Sequence, residues 1–222
     1  MARGPRTKQA AAAALPGNTV ESVPETLGAR IRQERLAAGF SVRGLAARTS
    51  VSPSLISQIE LGRATPSVAT LWAVATELGI SIGDLFNGGE PAPRSAVAPS
   101  ESPVQRHGTR KAITLAGGVR WERLTPGADH DVEFIHVVYP PGAESCPPDS
   151  LSRHGGREYG YVASGTLGVQ IGFESYVVHA NDSVSFESTQ PHRLWSIGDD
   201  PAVAIWMVVN RRGGGQPDAI RP

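Results

Sequence analysis

Between Phe40 and Gly62 the sequence sets two short amphipathic segments around a tight turn, and the second carries side chains suited to reading DNA. Ser41 can N-cap a first helix whose buried face is Leu45 and Ala46, the alanine leaving room for a second helix to cross closely. The turn falls at Thr49 to Val51. Ser52 caps again, Pro53 takes the first helical position, where its missing N–H costs nothing, Ile56 and Ile59 form the inner stripe, and Gly62 stops the helix. Ser54, Leu55, Ser57, Gln58 and Leu61 are left facing outward: hydroxyl and amide groups that can hydrogen-bond to base edges, with methyl-rich leucine suited to thymine. A second group of chemistry-bearing residues lies far along the chain at His154, Glu158 and His192. In a strand, positions 154 and 158 share parity, so imidazole and carboxylate can point into one interior, with His192 arriving from a neighbouring strand.

The elements that must position these groups differ between the two halves. Leu27 to Ala75 holds six arginines against two glutamates, a net +4 that can approach phosphate; Lys111 to Val209 holds six basic and twelve acidic residues, a net −6 that DNA repels. Arg30, Arg43 and Arg63 are the candidates for phosphate contact, and a symmetric dimer with three or four contacts per subunit would give a salt slope of about −5 to −7. Residues 87–110 are rich in Gly, Pro, Ser and Ala without hydrophobic period, a linker that leaves the halves free to move. Beyond it, eight short β-branched and aromatic runs predict a β-barrel or sandwich: Val119–Leu124, Phe134–Tyr139, Glu158–Ala163, Leu167–Ile171, Tyr176–His179, Ser183–Phe186, His192–Ile197 and Ala202–Val209. Ser164-Gly165 and Asn181-Asp182 read as hairpin turns.

From about Leu27 to Phe86 the chain resembles the helix-turn-helix domain of the XRE (lambda-repressor-like) family. The resemblance runs through Gln58-Ile59-Glu60-Leu61-Gly62-Arg63-Ala64-Thr65-Pro66-Ser67 and the closing Leu78-Gly79-Ile80-Ser81-Ile82-Gly83-Asp84-Leu85-Phe86. It implies a five-helix all-α domain in which Arg35 and Glu60 form a structural ion pair, and DNA contacts from Arg43, Ser52, Ser54, Leu55, Ser57, Gln58 and Arg63. Ser50 stands where the family usually has a glycine in a left-handed turn. The second half resembles the cupin family through Pro141-Gly142, then Ser152-Arg153-His154-Gly155-Gly156-Arg157-Glu158-Tyr159-Gly160, then Asn181-Asp182 and Pro191-His192. That resemblance implies an all-β double-stranded β-helix barrel. Many cupins hold a divalent metal through His-x-His, a glutamate and a late histidine; here Ser152 occupies the first histidine position, leaving His154, Glu158 and His192.

Such a set can hold Zn(II), Fe(II), Mn(II) or Ni(II), or it can be a metal-free pocket whose members hydrogen-bond to one another or to an organic effector. Ser152 and Val162 are assigned to that effector pocket. Strand alternation puts Glu158, Gly160 and Val162 on one face and Tyr159 and Tyr161 on the other, with core packing the default for Trp195 and Trp206. Cys146 is the single cysteine, so no intrachain disulfide forms and a reducing cytoplasm fits; its place beside Pro147 and Pro148 reads as a loop. The resulting organisation is a disordered basic arm (1–22), a helix-turn-helix domain (23–86), a linker (87–110), a cupin sensor domain (111–209) and a flexible tail (210–222). Together the two resemblances imply a homodimeric, cytoplasmic transcriptional regulator that binds a double-stranded DNA operator and senses a small molecule, without enzymatic activity. The competing class is a cupin dioxygenase, isomerase or epimerase carrying a helix-turn-helix module.

Overall fold

The computed structural model describes residues 26–86 and 102–209; the arm, linker residues 87–101 and the tail lie outside the described residues. Five helices form the N-terminal unit: α1 (Leu27–Ala37), α2 (Val42–Thr49), α3 (Pro53–Glu60), α4 (Val68–Leu78) and α5 (Ile82–Leu85). Each begins on a hydroxyl cap, with Thr26, Ser41, Ser52, Ser67 and Ser81 accepting from the backbone N–H three residues on. Such a cap contributes about 1 kcal/mol, a large share of what helices this short can supply alone. Ser50 ends α2 in the left-handed region at φ 55°, so the serine keeps the turn the glycine would make, at a cost of about 1 kcal/mol. Ile31, Leu45, Ile56, Leu71, Val74 and Ile82 fill the helical core. Ala46 is buried among them, but the backbone-to-backbone approach that seats α1 on α3 is at Gly28, where a Cβ would lie 2.0 Å from the Ile59 carbonyl oxygen.

The C-terminal unit has nine strands: β1 (Ala112–Thr114), β2 (Arg120–Arg123), β3 (Val132–Tyr139), β4 (Arg157–Ser164), β5 (Thr166–Ile171), β6 (Glu174–His179), β7 (Ser183–Glu187), β8 (His192–Ser196) and β9 (Ala202–Val209). They make a six-stranded sheet in the order β1-β2-β3-β9-β4-β7 and a three-stranded sheet in the order β6-β5-β8, all pairs antiparallel. β1 was not expected, because three residues are too few to display alternation. Gly165 and Asn181 both have φ of 73°, as turn residues should. Yet neither turn closes a hairpin. β4 pairs with β7 and β9 while β5 pairs with β6 and β8, so both corners carry the chain from one sheet to the other. A positive φ reports a sharp bend without saying which strand the next one joins.

The halves do not hang apart on a linker. Buried side chains of both units form one continuous core. The Ala69 N–H donates to the Ser145 carbonyl (3.2 Å) and the Ala116 N–H to the Pro66 carbonyl (2.9 Å). Glu133 of β3 accepts from the N–H groups of Ile82 and Gly83 at 2.6 and 3.0 Å, completing the N-terminus of α5, and Arg123 of β2 donates to the Gly83 carbonyl at 3.0 Å. Free movement was expected because linker composition reports only on the tether. Apolar surface and orphan backbone groups on α4 and α5 hold the halves together instead. The described end of the tether contains one 3-10 turn, His107–Thr109.

Candidate functional site

Inside the barrel, His154 in the approach to β4, Glu158 on β4 and His192 on β8 converge, all buried. The Nε2 atoms of His154 and His192 lie 3.1 and 3.2 Å from Oε1 of Glu158, with the two rings 5.0 Å apart and nearly perpendicular. Each Nδ1 is within hydrogen-bond reach of a carbonyl, Gly155 at 3.1 Å for His154 and Gln190 at 2.9 Å for His192. A carbonyl can only accept, so both Nδ1 atoms carry the hydrogen, and in the neutral form of each ring the Nε2 lone pair faces the carboxylate. Accordingly, His154 Nε2 and Glu158 Oε1 are buried without a hydrogen-bond partner. Burial pulls the Glu158 carboxyl upward, but contact with His154, the positive charge that either imidazole brings when protonated, and the Trp206 indole outweigh it and hold the group below its ordinary range. Burial lowers His192, against the opposing pull of Glu158.

The carboxylate's other oxygen is fixed from β9: Trp206 Nε1 donates to Glu158 Oε2 at 2.7 Å. That contact depends on Gly160, the cross-strand partner of Trp206, where a Cβ would lie 2.1 Å from the indole ring. Ser152 exchanges two backbone hydrogen bonds with His192, both 2.9 Å, and lines the cavity beside the site. Val162 does not line it: its parity is right and it is fully buried, but two residues beyond Gly160 it sits deeper in the core. Tyr159 and Tyr161 point outward, Tyr161 donating to Asn181 Oδ1 at 2.9 Å. Cys146 is buried, and burial pushes its thiol up, which suits an inert side chain.

Trp206 lies in the core, as expected, and is also a partner of the site. Trp72, from α4 of the other unit, was not anticipated at all. It lies parallel to the His154 ring, 4.0 Å between centroids and 8° between planes, and packs edge-on against Trp121. A Trp on the inner face of a helix in a sixty-residue bundle of small aliphatics was the available signal.

On the helical unit, Ser54, Leu55 and Leu61 are exposed, Ser57 and Gln58 half-buried, and Ile56 and Ile59 buried, so α3 turns one polar face outward. The Ser52 hydroxyl accepts from the Leu55 N–H at 3.1 Å, so its first task is to cap. Arg35 grips Glu60 through Nε (2.6 Å) and Nη2 (2.7 Å) and donates from Nη1 to the Phe40 carbonyl (2.8 Å). The pair ties α3 to α1, and the hydrogen bonds that Arg35 donates to Glu60 raise the arginine further. Arg43 and Arg63 are exposed. Arg30 is not available for phosphate: only 2% exposed, it pairs with Glu34 at 2.7 Å, one helical turn away.

Comparison with known proteins accords with this geometry. Residues 31–85 match the model of a helix-turn-helix family and residues 135–208 that of the cupin domain. The chain carries a helix-turn-helix domain followed by a cupin domain. It is 32% identical over 82 residues to the HTH-type transcriptional regulator SutR of Escherichia coli, a match spanning 37% of this chain and 46% of that protein. With the HTH-type transcriptional regulator PuuR of the same organism it shares 24% identity over 166 residues, 74% of this chain and 84% of that one. A crystal structure of an HTH_3 family transcriptional regulator from Vibrio cholerae aligns with a TM-score of 0.58 at 22% identity, covering 82% of this chain and 94% of that one, which is a likeness of fold.

The cupin domain's donor set fits a divalent metal. Two imidazole lone pairs and a carboxylate oxygen lie within 4.8 Å of one another with no hydrogen between them, each imidazole held by a carbonyl and the carboxylate by an indole. Ser152 in place of a fourth ligand leaves coordination positions open. Among the described residues of the helix-turn-helix domain no such cluster of donors is found.

Proposed function

We propose that the chain is a sequence-specific transcriptional regulator that binds a double-stranded operator through α3, and whose cupin domain holds a small-molecule effector that modulates that binding. The reading rests above all on the exposed polar face of α3, braced by the Arg35–Glu60 pair in a stretch, Leu27 to Ala75, of net +4. Ser54, Leu55, Ser57 and Gln58 address base edges, Arg43 and Arg63 address phosphates, and Ser52 presents the helix N-terminus. His154, Glu158 and His192 hold a divalent transition metal, Zn, Fe, Mn or Ni, which would supply a Lewis-acidic anchor for the effector. The regulator works in the cytoplasm; no helix among the described residues is long and apolar enough to cross a membrane.

The working unit is a homodimer, since two reading heads on a pseudo-palindrome multiply the affinity of a modest domain. Support for a barrel-to-barrel contact comes from the outer face of the large sheet. There Phe134, Tyr159 and Tyr161 are more than a third exposed beside Ile205 and Met207, and the exposed Arg157–Glu187 pair supplies both charge signs at the rim. Effector binding must favour one arrangement of the heads over another, and a coupling of about 1 to 3 kcal/mol would change operator affinity some 5- to 150-fold.

Selection of genomic fragments followed by footprinting tests the core of this reading. The Ser54→Ala, Gln58→Ala double variant is expected to lose operator selection while its oligomeric state by light scattering is unchanged; a retained footprint would reassign the reading helix. One observation favours a second reading, an enzyme: two histidines and a carboxylate with open positions suit oxygen chemistry. Oxygen uptake or substrate turnover with Fe(II), lost in His192→Ala, would establish it.

A further inference from the structure

Helix α4 belongs to the DNA-reading domain, yet it forms one wall of the cavity inside the barrel. Val68 and Trp72 line that cavity together with Tyr139, Glu158, His192 and Trp206. Trp72 is 4% exposed, its indole lying flat on His154, one of the three converging donors. The free space that remains is about 20 Å³. A single water needs on the order of 10–15 Å³ by this measure, so one water or one metal ion fits and an organic molecule does not.

We propose that Trp72 is a wall and gate of the barrel's ligand site: the docked arrangement admits only occupants of the size of a water or an ion, and an organic effector enters by displacing the Trp72 ring. This rests on the reading of the barrel as a ligand-holding domain. It gives that reading a physical route. α4 packs in the same core as α2 and α3 through Leu71, Val74 and Ala75, and Glu77 pairs with Arg48 of α2, so a shift of α4 is felt by the reading helix. The barrel segment leading into His154 also shares a cleft with that helix: Pro147, Ser152 and Arg153 line it from one side, Ser52 and Leu55 from the other. A ligand that pushes Trp72 out changes both contacts at once, which gives it different affinities for the docked and displaced arrangements.

The test uses the full chain with indole and Co(II) as probes. Trp72→Ala is expected to take up one indole per chain at millimolar concentration, with a rise in melting temperature, because the emptied cavity has the shape of the missing ring. Wild type should show neither. Trp72→Ala is also expected to release Co(II) to a chelator at least tenfold faster than wild type, since the indole no longer covers His154. A folded Trp72→Ala protein that ignores indole and releases Co(II) at the wild-type rate overturns the proposal. Should circular dichroism find the alanine variant unfolded, Trp72→Leu, apolar but smaller by a ring system, carries the same two readouts. If wild type holds no Co(II), the metal assignment falls and indole uptake alone decides the role of Trp72. If indole uptake occurs while no genomic fragment is ever selected, the gate stands and the regulator reading does not.

Discussion

The reading helix and the barrel site each hold a few polar groups in fixed directions, but over very different distances along the chain. Around α3, the caps act over three residues and the bracing pair Arg35–Glu60 over 25. In the barrel, Glu158 is fixed by Trp206, 48 positions away, and the cavity is closed by Trp72 from another domain. A site built from local contacts can be rebuilt after a local change, whereas one built from remote contacts depends on the register of every strand between them. Electrostatic character divides the same way. All six histidines fall between His107 and His192, so proton-sensitive chemistry is confined to the barrel side.

Three perturbations would break or sharpen that contrast. Glu60→Ala strands the Arg35 guanidinium in a buried position and should destabilise the helix-turn-helix domain by about 3–5 kcal/mol, read as a fall in denaturant midpoint. Trimming both partners to apolar residues of similar volume should cost far less; equal losses would mean that the pair does more than satisfy itself. Gly160→Ala should be the sharper blow to the site though the smaller to stability. A methyl there meets the Trp206 ring, costing about 1–3 kcal/mol by overpacking and swinging the indole off Glu158. Fluorescence of the tryptophans and Co(II) affinity would both change, and an unaltered Co(II) affinity would show that the indole does not orient the carboxylate.

The smallest effect is that of pH. Burial, with the charges of Arg110, His107 and Arg120, holds His136 below the ordinary imidazole range against the pull of Glu122. The folded state therefore binds fewer protons than the unfolded one, and the contribution present above about pH 6.5 is lost as the pH falls. Hydrogen exchange between pH 7.5 and 5.5, corrected for intrinsic rates, should show β2 and β3 loosening before α1 to α3. The reverse order would dissolve the division.

What was legible in the sequence follows the same line. The hydroxyl caps, Pro53, the left-handed position at residue 50 and the inner stripe Ile56–Ile59 signal themselves at fixed short offsets, and the helices lie where those signals put them. His154, Glu158 and His192 were legible as a set through their motif, and the alternation of β4 put Glu158 and Gly160 on the inner face. Arg30 was misread because exposure of a helical arginine depends on what the next turn offers it, here Glu34. Val162 was misread because parity gives direction and not depth. The corners at Gly165 and Asn181 looked like hairpins because the local backbone is the same whether the next strand pairs or changes sheet. Trp72 signalled itself only by its size among small aliphatics, since nothing within α4 says what lies across from it.

The carboxylate of Glu133 on the first amides of α5 has a consequence for modularity. The final turn of the reading domain caps one amide with its own Ser81 but takes the acceptors for Ile82 and Gly83 from the barrel, so the boundary drawn by composition is not a boundary of stability. A fragment cut after Phe86 would leave those amides to water and the flank of α4 bare, and a swap of barrels between relatives would succeed only where an acid stands at the matching place on the third strand. Each domain completes backbone groups of the other.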